Sequence, residues 1–379
     1  MSEKRVLVLS FSHLDRDPRV HRQLSWLSGK YRVTAAGFSP PTVKGVDFIR
    51  LPNLARSRAG RVLSAVKLKA RMYESFYWTH PLVMAALEDL EGLPADLVIG
   101  NDAWMLPIAA RLAKTGGAAF FYDAHEFSPR EYDDKFSFRF FWAGFWDYIC
   151  RAYLPRAQAM TTVCRGLAKE YEKNYGVKCG IITNAPFFAD LSPSKPVDGR
   201  VRMVHHGSAD KERRLHNMIS LIGLLDERFS LDFFLVGMES DYGAELRKMA
   251  RNNPRISFLP PVPLEKIVST INPYDVGLYL LYPAGFNAKM ALPNKVFEFI
   301  QARLALAVWP APEMGGLVEE HRNGVVSGDF SVESMATALN GLSAEDIATF
   351  KSRSHEAAPL VAGERNQELF LSTIRKLLG

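Results

Sequence analysis

Short apolar runs alternate with amphipathic segments along the chain, and this alternation predicts parallel β-sheets covered by helices. The first apolar run, RVLVLSF (5–11), is typical of a buried strand. DPRVHRQLSWLSG (17–29) follows with helical spacing of its apolar residues, and YRVTAAGF (31–38) predicts a second strand. A strand, a helix and a strand in such close succession are typical of the opening of a doubly wound sheet.

The alternation runs through both halves of the chain, with a polar break between them. In the first half it predicts further strands at 95–102, 118–126 and 158–164 and a helix at 166–176. In the second half it predicts strands at 201–208, 231–237, 256–262, 275–281 and 304–310, and helices at 215–225, 243–252, 263–271, 293–303 and 364–378. The segment LSPSKPVDGR (191–200) is polar and carries two prolines, so we interpret it as a linker. The predicted fold class is α/β, with two Rossmann-like domains that face a central cleft.

Composition supports two ordinary globular domains. The chain has 379 residues, of which 47% are apolar and 23% charged, which excludes a disordered protein. The three cysteines, Cys150, Cys164 and Cys179, have no metal-binding spacing and exclude a disulfide framework. No export signal and no apolar stretch of membrane-spanning length is present, so we expect a cytoplasmic protein, soluble or peripheral.

The positive charge is concentrated in the first half of the chain. Residues 1–190 hold 26 Lys and Arg against 19 acidic residues, a net +7, whereas residues 191–379 have a net charge of −1. Between Asp47 and Glu74 there is no acidic residue but seven basic ones: Arg50, Arg56, Arg58, Arg61, Lys67, Lys69 and Arg71. Such a field attracts nucleic acid, anionic lipid or a phosphorylated substrate. No nucleic-acid-binding motif is present, so we predict no nucleic-acid partner.

An aromatic segment, FSFRFFWAGFWDYICRAYLPRA (136–157), has arginines interleaved with its rings. It has two interpretations. It is either an amphipathic helix at a membrane interface, acting together with residues 50–71, or a helix over 136–153 buried against the sheet.

Polar residues follow two strands of the first half. Asp102 ends one predicted strand, and Asp123, His125 and Glu126 end the next. Ligands of open parallel sheets bind beyond the carboxyl ends of the strands, so these residues are candidates for a site. The alternative for His125 is a structural one, with its ring satisfied by Asp123 or Glu126.

A second candidate lies at the turn HHGSADKERRL (205–215). This turn matches no Walker loop or dinucleotide fingerprint. Gly207 allows close backbone approach, and Lys211, Arg213 and Arg214 supply charge for a diphosphate at a strand-to-helix turn. The alternative is a solvated charged turn.

A third candidate is the helix start PNKVFEF (293–299). Asn294, Lys295 and Glu298 share a helical face, and a carboxylate there accepts hydrogen bonds from two vicinal hydroxyls, as on a ribose. The alternative is a surface Lys295–Glu298 ion pair, worth about 0.3 kcal/mol.

The ordered motifs resemble the retaining glycosyltransferases of family 4 (group 1), which have the GT-B fold. PNKVFEF resembles their donor-site segment. Further segments resemble their counterparts in the same order: DPRVHRQL (17–24), YDAHEF (122–127), TTVCRGLAKEYEKNYG (161–176), IITNAP (181–186) and GGLVEEHRNGVVSGDFSVESMATAL (315–339). The resemblance covers nearly the whole chain.

The resemblance implies roles for individual residues. Glu298 binds the donor ribose, Lys211 or Arg213 holds the diphosphate, residues 259–262 lie by the base, and His125 lies near the transferred sugar. The implied catalytic residues are His125, Lys211 and Arg213; the donor-binding residues are Gly207, Gly237, Asn294, Lys295 and Glu298; and the acceptor-side residues are Asp15, Arg19, Asp102 and Glu126. Met290 stands where many relatives have a second glutamate, which leaves the sugar open.

The resemblance also implies domain roles. Residues 1–190 form the acceptor-binding domain, 191–200 the linker and 201–360 the nucleotide-sugar-binding domain. Residues 361–379 form a helix that crosses back to the first domain.

The implied activity is a retaining glycosyl transfer from a UDP- or GDP-linked sugar to a glycan or lipid-linked acceptor, in bacterial surface polysaccharide or glycolipid synthesis. We expect no cofactor and no metal, because no D-x-D pair lies at a predicted strand end. Asp15 and Asp17 have that spacing, but they precede a helix that Asp17 is expected to cap. The alternatives are a nucleotide-sugar epimerase of the same architecture and a non-catalytic scaffold. The membrane-facing alternative places the protein on the inner face of the membrane through residues 50–71 and 136–157.

Overall fold

The computed structural model describes residues 4–55, 57–195 and 199–379, and its contacts divide the chain into two compact units. The first unit runs to Ile182 and also takes in Gly285–Asn287 and Gln367–Gly379. The second unit comprises Thr183–Ala284 and Ala288–Asn366. The predicted domain bounds, with a boundary at 190, stay a prediction. Arg56 of the basic stretch and residues 196–198 of the predicted linker lie outside the described residues.

The first unit is built on a seven-stranded parallel sheet in the order β3-β2-β1-β4-β5-β6-β7. Its strands are β1 (Arg5–Leu9), β2 (Arg32–Gly37), β3 (Val46–Arg50), β4 (Leu97–Asn101), β5 (Ala119–Ala124), β6 (Ala159–Thr162) and β7 (Gly180–Ile181). The chain adds β2 and β3 on one side of β1 and β4 to β7 on the other, so the strand order reverses between β1 and β4. Ligands bind beside such a reversal in open α/β sheets. Asp17 caps the first helix by accepting hydrogen bonds from the backbone N–H groups of Arg19 and Val20, as its sequence position predicts.

Helices cover this first sheet. They are α1 (Pro18–Leu27), α2 (Arg58–Lys69), α3 (Tyr73–Trp78), α4 (Pro81–Leu90), α5 (Asp102–Gly116), α6 (Phe136–Phe141), α7 (Ala143–Tyr153) and α8 (Arg165–Tyr175). Where one helix was predicted over 136–153, the aromatic segment forms two: α6 ends at Phe141 and α7 begins at Ala143. The second of them, α7, buries Phe145, Trp146 and Ile149, so the buried interpretation applies to α7.

The second unit repeats the plan on a six-stranded parallel sheet in the order β10-β9-β8-β11-β12-β13. Its strands are β8 (Val201–Ser208), β9 (Phe229–Val236), β10 (Ile256–Leu259), β11 (Val276–Tyr279), β12 (Ala305–Val308) and β13 (Gly324–Val326). β8 alternates between two apolar layers, since Met203 packs into one and Val204 into the other. A strand buried on both faces explains its nearly unbroken apolar sequence.

The remaining helices are α9 (His216–Leu224), α10 (Asp241–Ala250), α11 (Ile267–Ile271), α12 (Phe286–Lys289), α13 (Asn294–Gln301), α14 (Pro312–His321), α15 (Val332–Asn340), α16 (Ala344–Ala357) and α17 (Gly363–Leu378). Phe370 and Ile374 of α17 belong to the core of the first unit. No helix in the described part of the chain is both long and apolar enough to span a bilayer.

Candidate functional site

The carboxyl end of β8 brings together residues of the second and third candidates, the turn 205–215 and the helix start 293–299. His205, His206 and Gly207 directly precede Ser208, the last residue of β8, and the neighbouring strand β11 ends in Tyr279. Gly207 has a φ of 138°, and a Cβ atom there would lie 2.6 Å from Cε and 2.8 Å from Nζ of Lys295. Only glycine allows the lysine ammonium to lie this close to the strand end.

Glu298 reaches this strand end from α13. The helix begins at Asn294, with Pro293 as its N-cap, and buries Glu298 in the turn that follows. The residue is 6% exposed, and its Oε2 lies 3.1 Å from Nε2 of His206. A surface pair with Lys295 therefore does not describe this carboxylate, because Glu298 is buried and lies beside a histidine.

Two cations lie beside Tyr279. The Nζ of Lys295 is 5.5 Å from the centre of the Tyr279 ring, and the side chain of Arg213 hydrogen-bonds to the tyrosine hydroxyl. Burial, reinforced by the positive charge of Arg213, lowers the pKa of Lys295 to about 8, while the negative charge of Glu298 opposes this shift. Two cations held at partial burial favour an anion between them.

The other basic residues of the turn have different positions. Lys211 is exposed on the 3₁₀ turn Lys211–Arg213, and the Arg214 guanidinium lies 3.4 Å from the ring centre of Tyr282. Of the two residues proposed to hold a diphosphate, the structure brings Arg213 to Lys295 and leaves Lys211 on the surface.

An apolar pocket opens beside Gly207. It has a volume of about 280 Å³. The lining residues are His206, Gly207, Ser208, Phe234, Val236, Pro261, Val262, Leu264, Ile267 and Ile271. Pro261 and Val262 belong to the segment expected beside a nucleobase. Gly237 follows β9 with a φ of 78°, a conformation that glycine adopts without strain.

Chemically, these groups complement three parts of one ligand. The cations can neutralise an anion beside Gly207, the carboxylate of Glu298 can accept hydrogen bonds from hydroxyls, and the pocket can receive a flat apolar ring.

A second cluster lies in the first unit, at the carboxyl ends of β4 and β5. Nδ1 of His125 is 3.4 Å from Oδ1 of Asp102, a residue with a φ of 65° that non-glycine residues seldom adopt. Burial and the positive charge of Arg19 lower the pKa of His125 to about 4, so its ring is neutral at pH 7. Its Nε2 has no hydrogen-bond partner among the residues described. Burial and the charge of Asp17 raise the pKa of Asp102, although solvent reaches 45% of its side chain and weakens the shift.

Asp123 lies beneath this cluster in a fully paired position. Arg19 binds it with two hydrogen bonds, one of 2.6 Å from Nε, and Gln23 Nε2 and Thr161 Oγ1 each donate to it at 2.6 Å. Both Arg19 and Asp123 are buried. Arg19, expected on the acceptor side, therefore fixes Asp123 in the interior.

The remaining acceptor-side residues are peripheral. Asp15 is accessible and accepts a hydrogen bond from Ser39 Oγ, which lowers its pKa. Glu126 accepts a hydrogen bond of 3.3 Å from Asn287 Nδ2, and Asn287 also accepts one from the Phe127 backbone N–H.

Three contacting residues were missing from the candidates drawn from the sequence. His206 and Tyr279 lie in predicted apolar strands and Asn287 lies in a predicted loop, so the sequence pattern did not single them out. The one available signal was the pair His205–His206 directly before a glycine at a strand end. Two histidines are unusual in an otherwise apolar buried strand.

No protein-family model matches the chain, and no curated protein matches it in sequence. Solved structures match over nearly its whole length. Anabaena HepE in complex with UDP and glucose is 14% identical with a TM-score of 0.65, over 98% of this chain and 100% of that one. WaaG, a glycosyltransferase involved in lipopolysaccharide biosynthesis, is 14% identical with a TM-score of 0.65, over 96% and 97%.

A glycosyltransferase from Rickettsia africae is 10% identical with a TM-score of 0.68, over 100% of this chain and 99% of that one. At such low identity these matches establish the fold. The predicted fold class is confirmed as α/β with two parallel sheets, the GT-B fold of the matching structures.

Proposed function

We propose that this chain is a retaining glycosyltransferase that moves a sugar from a UDP- or GDP-linked donor to a glycan or lipid-linked acceptor, in bacterial surface polysaccharide or glycolipid synthesis. The observation that carries the proposal is the convergence of the buried Glu298 and the half-buried Lys295 and Arg213 with an apolar pocket at the end of β8. The structural match to HepE, which was solved with UDP and glucose, supports a nucleotide-sugar ligand.

The donor nucleotide would use each part of this site. Its base would enter the apolar pocket lined by Pro261 and Val262, and its ribose hydroxyls would donate to Glu298. Its diphosphate would lie by Gly207 between Lys295 and Arg213. Because these cations are already in place, they can stabilise the charge that develops on the leaving diphosphate, and we propose that this chemistry needs no metal.

The transfer would break the bond between the sugar C1 and the diphosphate oxygen and form a bond from C1 to the acceptor oxygen. The proton of the acceptor hydroxyl would pass to the leaving diphosphate on the same face, which retains the anomeric configuration. His125 is neutral at pH 7 and has an unpartnered Nε2, so it would orient a hydroxyl of the sugar or acceptor rather than donate a charge.

The acceptor side would include a membrane surface. We define the α2–α6 patch as Val62, Leu63 and Val66 of α2 with Phe136 and Phe140 of α6, all of them exposed. The two helices pack together, and α2 also exposes Arg58, Arg61 and Lys69. Apolar side chains among basic ones suit the interface of an anionic bilayer, where a lipid-linked acceptor resides.

Ligand stabilisation and product analysis together test the activity. A thermal-shift screen with UDP, GDP, ADP and dTDP identifies the nucleotide, since a ligand at about 100 times its Kd adds about 2.7 kcal/mol. Labelled donors of that nucleotide are then incubated with a bacterial lipid extract. Label in the extract supports transfer, a rearranged free sugar indicates an epimerase, and unchanged donor indicates a scaffold.

Replacing Glu298 tests the assignment of the site. We expect Glu298→Gln to weaken nucleotide binding by about tenfold or more, because a carboxylate that accepts charged hydrogen bonds is lost while the side-chain shape is kept. Isothermal titration calorimetry measures the change, and Glu245→Gln, an exposed glutamate on α10, is the matched control. Equal affinity in folded Glu298→Gln and wild-type protein would contradict the assignment.

A further inference from the structure

His206 lies between the carboxylate of Glu298 and the apolar pocket. It is the sixth residue of β8 and one of the residues that line the pocket. The Phe299 ring contacts its imidazole edge-on, with 5.6 Å between ring centres. The side chain is 6% exposed, so the strand and the aromatic neighbour hold the ring in one place.

The Nε2 atom of His206 is buried without an aligned hydrogen bond. Glu298 Oε2 lies 3.1 Å away, yet no atom of the described residues completes a hydrogen bond with that nitrogen. The Nε2 of His205, on the opposite face of the strand, also has no partner among the described residues, although its Nδ1 lies 2.9 Å from the Leu278 carbonyl oxygen. The two histidines differ in that His206 lines the pocket and His205 does not. A buried polar atom without a partner costs free energy, and a ligand group that hydrogen-bonds to it in the pocket would recover that cost.

The chemistry of the two neighbours restricts what that partner can be. Glu298 only accepts hydrogen bonds when ionised, and a neutral imidazole with its proton on Nε2 donates there. A group between them must donate to one and accept from the other. A carboxylate or phosphate would be repelled by Glu298, and an ammonium group cannot accept from His206, whereas a hydroxyl does both.

We propose that His206 is a specificity-determining residue that, together with Glu298, recognises the ribose diol of the donor nucleotide. One ribose hydroxyl donates to Glu298 and accepts from the Nε2–H of His206. The proposal rests on the proposed function, because it takes the nucleotide to bind at this site. It adds to that function a preference for ribonucleotides over deoxynucleotides. This preference is set by His206 on β8 in addition to Glu298 on α13.

The test compares nucleotides that differ only in the diol. Isothermal titration calorimetry on the full chain measures the Kd of UDP, GDP and ADP, and then of the 2′,3′-dideoxy form of whichever binds best. The variants are His206→Phe, which keeps the ring volume and removes the nitrogen, and His206→Gln, whose amide nitrogen can stand in for Nε2. Thermal unfolding of each variant establishes that it is folded.

We expect His206→Phe to lower the ribonucleotide-to-dideoxynucleotide affinity ratio by about three- to tenfold, the value of one hydrogen bond. His206→Gln should restore much of that ratio. If His206 only supported the fold, its loss would weaken the binding of both nucleotides equally. An unchanged affinity ratio in His206→Phe therefore overturns the inference while leaving the proposed function intact. Failure of every nucleotide to bind the wild-type protein overturns both.

Discussion

At the scale of single residues, the candidate site at the end of β8 depends on charges kept partly out of water. Lys295 lies against Gly207 and over Tyr279, with the charge of Arg213 close by. Desolvation and like charge both disfavour its ammonium form, which explains the lowered pKa of about 8. The attraction of an anionic ligand would offset both penalties, which is why we propose that a diphosphate binds here.

The pH dependence of binding tests this arrangement. Protonated Lys295 attracts the diphosphate, so affinity should persist below its pKa of about 8 and fall as the pH rises above it, by up to about tenfold per pH unit. Calorimetric Kd values between about pH 7 and pH 9.5 measure the effect, in a range where phosphates are already ionised.

Lys295→Arg is the matched control for this titration. Arginine keeps its charge throughout the range, so its curve should be flatter than that of the wild-type protein. A wild-type Kd that stays constant from about pH 7 to pH 9.5 would remove Lys295 from the diphosphate site.

At the scale of elements, buried polar contacts join helices to the strands of the first sheet. Arg19 and Gln23 of α1 both bind Asp123 of β5, and Gln23 also exchanges hydrogen bonds with Asn101 at the end of β4. Thr161 of β6 completes the coordination of Asp123. The network fixes α1, β4, β5 and β6 beneath the turn that carries His125.

Removing Asp123 should destabilise the first unit strongly. Asp123→Ala leaves the buried guanidinium of Arg19 without its partner, and we expect a loss of about 3–5 kcal/mol. Asp47→Ala, which breaks the exposed pair with Arg32, should cost under about 1 kcal/mol and serves as the control.

Urea unfolding followed by tryptophan fluorescence measures both variants. Trp309 lies in the second unit and the other five of the six tryptophans lie in the first, so the signal reports mainly on the first unit. If the two substitutions cost the same, the network contributes no more than a surface pair.

At the scale of the whole molecule, the distribution of charge separates the halves of the chain. The net charge of +6 comes from the first half, and the exposed arginines and lysine of α2 belong to that excess. The α2–α6 patch adds exposed apolar residues on α2 and on its neighbour α6, with Val62 68% and Phe136 72% exposed. Exposed apolar residues grouped in this way mark an interaction surface.

Vesicle binding tests the patch. We expect the protein to co-sediment with vesicles containing anionic lipid, more weakly with neutral ones, and less as salt is raised from about 0.1 M to about 0.5 M. Replacing both Phe136 and Phe140 with serine should weaken binding about tenfold or more through lost apolar burial.

The matched control for vesicle binding is Met249→Ser, an exposed apolar residue on α10 of the second unit. Equal sedimentation with anionic and neutral vesicles would count against the electrostatic part of the proposal. Vesicle binding by the Phe136→Ser/Phe140→Ser variant that equals that of the wild-type protein would count against the apolar part.

The sequence by itself determined the fold class, because a strand buried on both faces must be apolar and a covering helix must be amphipathic. It also determined the cap at Asp17 and identified Glu298 and Lys295 as candidates, since those properties depend on nearest neighbours in the chain. The segment 136–157 was harder to predict, because its aromatic residues suit both a buried and an exposed helix.

Only the tertiary structure decided which distant side chains meet. The contact of His206 with Glu298 joins residues 92 positions apart, and that of Arg19 with Asp123 joins residues 104 apart. Sequence spacing carries no signal for such pairs, because strand order and helix packing set them. The same packing buries Arg19 and Glu298, exposes Lys211 and turns His206 toward a pocket, and burial is what gives each of these groups its chemistry.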